Sequence, residues 1–161
     1  MPSKRKTETR DAASALVAVA PLATRWIERV LAQLDPPLTV PQYLALRAIE
    51  REGVSGTELA RRSGVSGPAV SQLITGLADS GLVEREPFEG DRRRMVLRLS
   101  DAGRTAYRRA ESALERELGS LMAELPKPEG DALARALPRV ESVLSGSPPP
   151  RRPPHPPPPP H

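Results

Sequence analysis

The chain has 161 residues, enough for one domain with a proper core plus a tail and short for two domains. Its formal net charge of +4 comes from 24 basic and 20 acidic residues, two of the basic ones in the terminal run "PPPRRPPHPPPPPH", so only a local concentration of arginine could argue for a nucleic-acid partner. The absence of cysteine excludes disulfides, thiol sensors and thiolate metal sites, and both histidines, His155 and His161, lie in that terminal run, which leaves the rest without the commonest general base and metal ligand.

The opening "MPSKRKTETRDAASALVAVAPLA" is interrupted by acidic and polar residues and carries no clear signal-peptide pattern, and no apolar run reaches the ~20 residues of a membrane span. A soluble cytoplasmic protein with no membrane partner is expected. Residues 1–10 are expected as a flexible arm, residues 11–145 as the folded domain, and residues 146–161, too proline-rich to build a core, as a disordered tail. With one Trp, two Tyr and one Phe, the core must be mainly aliphatic, which suits helices.

Between Asp11 and Leu34 the residues Leu16, Leu22, Trp26, Ile27, Val30, Leu31 and Leu34 form a mostly 3.6-period stripe that ends at "DPP". Pro21 inside it marks either a helix start or a kink. In "LTVPQYLALRAIEREG", Thr39 and Gln42 have capping-box spacing, Leu38 and Tyr43 form a hydrophobic staple, and Gly53 stops the helix. The device recurs in "VSGTELARRSG", with Ser55 and Glu58 as the box, Val54 and Leu59 as the staple and Gly64 as the stop.

A third start, "VSGPAVSQLITGLADSG", has Ser66 as cap, Val65 and Val70 as staple and Pro68 in the first turn, but Ala69 stands where the reciprocal Glu or Gln would be. Many helices lack a capping box; here the gap also leaves the N–H groups and positive dipole end open to an outside anion such as a phosphate. Val70, Leu73, Ile74 and Leu77 form the inward stripe, which turns Pro68, Ser71, Gln72 and Thr75 outward. That face is small and polar, as entry into a major groove requires.

"LVEREP" and "RRMVLRLS" read as two strands of a hairpin, with Met95, Leu97 and Leu99 alternating with Val96 and Arg98, and with Arg92, Arg93 and Arg94 at or near the tip. Asp91 is placed to pair with Arg93 and hold the tip in shape, and Glu84, Glu86 and Glu89 read as charges balancing nearby arginines. Ser100 caps a long helix with Ala106, Tyr107, Ala110, Leu114, Leu118, Leu121, Met122 and Leu125 on one stripe, ended by Pro126 and Pro128. A last helix, about residues 129–144, contains Pro138, which should kink or split it.

Two short helices joined by "RSGVS" and followed by a basic-tipped hairpin make a mainly α winged helix-turn-helix, here with long terminal helices. Those helices have more apolar length than the core can cover, which suggests pairing with a second copy, although in a monomer they could cover each other. "LTVPQYLALRAI", "ELARRSGVSGPAVSQLITGLADSGLVERE" and "GDRRRMVLRLSDAGR" closely resemble the multiple-antibiotic-resistance regulator (MarR) family of bacterial transcription factors. Asp91, Arg93, Leu97 and Leu99 fall on the family's wing motif, and Ser100 replaces its Thr.

The resemblance implies a homodimer formed through residues 11–34 and 101–145, DNA binding by residues 38–100, a recognition helix over residues 66–79, and wing arginines in the minor groove. It also implies repression, less often activation, relieved by a small ligand. The expected DNA contacts are Ser66, Pro68, Ser71, Gln72, Thr75, Arg92, Arg93 and Arg94, with Asp91 stabilising the wing. A small organic effector, often aromatic and anionic in that family, could meet Trp26, Tyr43, Arg47 and Tyr107, although for each of them core or surface packing is the better reading. No cofactor or metal is expected, and no paired catalytic constellation supports an enzyme. The other reading is a winged-helix protein-interaction module with the proline-rich tail as its recognition arm.

Overall fold

In a computed structural model of the chain, residues 2–63 and 66–146 are described. Gly64 and Val65, the expected stop and staple, lie outside the described residues, as does the proline-rich run. The element order is α1 (Pro2–Ala32), α2 (Val40–Glu52), α3 (Gly56–Ser63), α4 (Gly67–Asp79), β1 (Val83–Phe88), β2 (Asp91–Leu99), α5 (Asp101–Met122) and α6 (Lys127–Gly146). The chain divides into two compact units, Met1–Glu124 and Leu125–His161.

The α1 helix starts at Pro2 and runs through Pro21 without a break, so residues 2–10, expected as an arm, are helical. Proline suits a first helical turn, and nothing between Thr7 and Ala20 breaks a helix. At ~1.5 Å per residue its 31 residues span about 46 Å. Only its C-terminal end enters the core: Leu31 is buried and Ile27, Val30 and Leu34 are partly so, whereas Leu16, Val17, Val19 and Leu22 are exposed. The expected stripe therefore divides into a packed end and an uncovered end.

The full capping box forms at α2, whereas at α3 one half of it is seen. Thr39 Oγ1 accepts from the Gln42 N–H at 3.3 Å while Gln42 Oε1 accepts from the Thr39 N–H at 2.9 Å, and the left-handed Gly53 donates back to the Ile49 carbonyl. At the next start Ser55 Oγ accepts from the Glu58 N–H at 3.2 Å, with Val54 and Leu59 both buried. The Glu58 carboxylate takes both ends of the Arg61 guanidinium at 2.7 and 3.0 Å, and this hydrogen-bonded pair holds it below the usual carboxylate range.

The hairpin is a two-stranded antiparallel sheet in which Val83 faces Leu99, Glu84 faces Arg98 and Pro87 faces Met95. Val83, Leu97 and Leu99 are buried, but Met95, expected on the same inward row, is exposed. Between the consecutive residues Pro87 and Phe88 the cross-strand partner jumps from Met95 to Asp91. Arg92, Arg93 and Arg94 therefore face no β1 residue and form a bulge, which sharpens the local twist.

Ser100 joins the hairpin to α5. Its Oγ accepts from the Gly103 N–H at 3.0 Å and donates to the Gly81 carbonyl, while its N–H donates to the Leu82 carbonyl. The α5 helix buries Gly103, Ala106, Tyr107, Ala110, Ala113 and Leu114, but Met122 is exposed and the helix ends before Pro126. Pro128 lies in the first turn of α6 and does not end α5, as proline's tolerance at helix starts permits. Within its own unit α6 runs unbroken through Pro138 and exposes Leu137, Val143 and Leu144.

Candidate nucleic-acid interface

The α3–α4 pair is anchored by one face of α4. Val70, Ile74 and Leu77 are buried and Leu73 is partly buried, so Ser66, Pro68, Ser71, Gln72 and Thr75 all lie exposed on the opposite side. Ser66 stands at the cap with extended φ and ψ, but its side chain makes no capping bond, and the first turn has no acidic residue. Among the described residues, neither a capping side chain nor a first-turn carboxylate neutralises the positive end of this helix.

Arg85 was not foreseen in this surface. Its Nη2 donates to Thr75 Oγ1 at 3.3 Å, tying β1 to the outward face of α4. The sequence signal was the strand "VEREP", which reads as a charged solvent face and gives no hint of its neighbour. On the other side of the hairpin, Arg98 pairs with Glu86, as expected for a balancing carboxylate. Arg92, Arg93 and Arg94 lie on β2 beside the hairpin turn; their side chains and that of Asp91, with the expected Asp91–Arg93 pair, are outside the described residues.

Three of the four expected effector residues cluster. The rings of Tyr43 and Tyr107 stack with centroids 6.1 Å apart and planes at 23°, and Arg47, Arg51, Glu111 and Glu115 supply the charges around Tyr43. Arg51 and Glu111 form an ion pair at 3.4 Å. Both tyrosines are buried, so this pair fills the seam between α2 and α5. Trp26 lies apart, in a cleft of about 340 Å³ with Val30, Gln33, Ala113 and Arg116.

Burial is the largest cause that raises both phenol pKa values; Glu111 adds to the rise, as a hydrogen-bond partner of Tyr107 and through its charge near Tyr43. The fold therefore favours the protonated phenols, and this stabilisation is whole below pH ~10 and is lost as pH rises through the raised values. Urea melts between about pH 9 and 11 should show that loss, and it should shrink in a Tyr43→Phe/Tyr107→Phe variant. An unchanged pH dependence in that variant would remove the tyrosines as its source.

Among the described residues no acidic or histidine cluster could hold a metal ion, and no helix is long and apolar enough to cross a membrane. Residues 37–94 match the family model described as the MarR family. An HTH-type transcriptional repressor of Mycobacterium tuberculosis is 30% identical over 115 residues, covering 70% of this chain and 83% of that protein. The chain belongs to the MarR family. A crystal structure of a MarR family protein of M. tuberculosis in complex with p-aminosalicylic acid has a TM-score of 0.66 at 25% identity, covering 80% of this chain and 97% of that one. The apo form of Escherichia coli MarR has the same fold, with a TM-score of 0.70 at 23% identity over 80% of this chain and 95% of that chain. The winged helix-turn-helix described above is thus the MarR fold, and the protein is a transcriptional regulator of the helix-turn-helix type by its relatives.

Proposed function

We propose that the protein is a cytoplasmic homodimeric repressor that binds a pseudo-palindromic operator and releases it when a small organic ligand binds. The observation that carries this reading is the surface of α4: a helix start whose Ser66 makes no side-chain cap and whose first turn has no acidic residue, leading into the exposed small polar row of Pro68, Ser71, Gln72 and Thr75. Such a helix end can approach phosphates and base edges closely, and Gln72 can pair bidentately with adenine. The bulged arginines on β2 fit the role of minor-groove and backbone contacts, because an A·T-rich minor groove concentrates negative potential.

The uncovered apolar residues of α1, Leu16, Val17, Val19 and Leu22, and those of α6, Leu137, Val143 and Leu144, favour pairing with a second copy. A two-fold dimer sets two recognition helices roughly 34 Å apart, one per half-site. Ligand release is supported by the relative bound to p-aminosalicylic acid. Repression is supported by the repressor relative.

Selection of bound sequences from random DNA should enrich a palindrome, and its absence would refute the reading. With that site in hand, Gln72→Ala should relax preference at one position per half-site by about 1–3 kcal/mol in competition gel shifts. Equal loss at every position would instead assign Gln72 to the phosphates.

A further inference from the structure

We infer that Arg85 clamps the sugar–phosphate strand that separates the two grooves, gripping one phosphate per half-site while it holds Thr75 in place on α4. The inference rests on the DNA-binding reading above and assigns a residue that the family's wing and helix motifs leave out.

Its position is the first argument. A helix lying in a major groove and a hairpin tip reaching the adjacent minor groove must pass over the backbone strand between them. Among the described residues, a side-chain hydrogen bond from Arg85 to Thr75 links β1 to the outward face of α4, so the guanidinium occupies this junction. It is exposed there, and a guanidinium has further N–H donors to offer once one of them is given to a hydroxyl.

The charge balance around it is the second argument. Within residues 38–100, the described arginines Arg51, Arg61 and Arg98 each have a carboxylate partner, in Glu111, Glu58 and Glu86 respectively. Arg85 donates to a neutral hydroxyl instead, and among the described residues no carboxylate takes its charge. Strand alternation sets it on the face opposite its two acidic neighbours, Glu84 and Glu86, and Glu86 is taken by Arg98. A planar fork of this kind fits a phosphate oxygen pair, and the bond to Thr75 reduces the freedom it must lose on binding.

The third argument is mechanical. A cation bonded to both the phosphate strand and Thr75 would fix how deeply α4 sits in the groove, since it links the wing strand to the reading face of the helix. Arg85 thus positions Thr75 and neutralises one phosphate.

The test measures affinity for the selected operator by fluorescence anisotropy from about 50 to 200 mM salt in the full-length protein. Arg85→Gln should lower affinity on the order of tenfold and make the slope of log K against log salt shallower by ~0.9 per half-site. Thr75→Val should weaken binding with the slope unchanged, and Arg85→Lys should keep the slope while losing part of the affinity. Matching thermal melts show that each variant is folded.

A wild-type slope in Arg85→Gln, or a loss confined to one base position, overturns the clamp. Wild-type protein that fails to bind DNA at any salt overturns the DNA-binding reading itself, and the two failures are distinct.

Discussion

Replacing Gly103 with alanine is expected to lower stability by about 3 kcal/mol and the melting temperature on the order of 10 °C. A Cβ at this position would come within 2.8 Å of the Leu82 carbonyl carbon, and closer still to its oxygen. The obstacle is backbone and cannot rotate away. The start of α5 would have to withdraw from the turn after α4, which also breaks the bonds that Ser100 makes to Gly103, Gly81 and Leu82. Gly119, in the same helix with no described atom beyond its own helix turn within 4 Å of its Cβ position, is the control: alanine there should leave stability unchanged or raise it by up to ~1 kcal/mol. Thermal and urea melts of the two variants decide the matter, and equal effects would remove the close approach as the cause.

Replacing Arg92, Arg93 and Arg94 together with alanine is expected to reduce operator affinity on the order of 10²- to 10³-fold at low salt, with little change in thermal stability. Each arginine that neutralises a phosphate contributes ~0.9 to the salt slope, so the combined variant should lose up to about 2.7 per half-site. Because the three stand in a bulge with no β1 residue opposite, they carry none of the ladder pairing that holds the hairpin together. Anisotropy titrations on the selected site and on scrambled DNA should show loss on both, since backbone and minor-groove contacts read little sequence. A variant that binds both as the wild type does would end the role assigned to the wing.

Features set by neighbouring residues were legible in the sequence. The Thr39–Gln42 box, the Ser55–Glu58 start and the Val54–Leu59 staple all join residues three to five apart, where helix geometry dictates who meets whom. The outward row of α4 follows from the 3.6 period once Val70, Ile74 and Leu77 are known to be inside. The order of two short helices and a hairpin then leaves little choice of fold.

Whatever depends on two distant segments was decided by the tertiary structure alone. Leu16 and Leu22 have the spacing of core residues yet are exposed, because periodicity states that a face is apolar and not what covers it. "VEREP" cannot say that Arg85 lies against Thr75, and "SDAGR" cannot say that Gly103 abuts the Leu82 carbonyl; both need the approach of α4's end to the hairpin and α5. The unbroken course of α1 through Pro21 and of α6 through Pro138 was likewise undetermined by propensity, since a proline weakens one helical turn without forbidding the next. Residue spacing was enough for the order of the elements, the caps at Thr39 and Ser100 and the family resemblance, because these rest on neighbours along the chain; packing between elements set which residues are buried and what Arg85 and Gly103 meet.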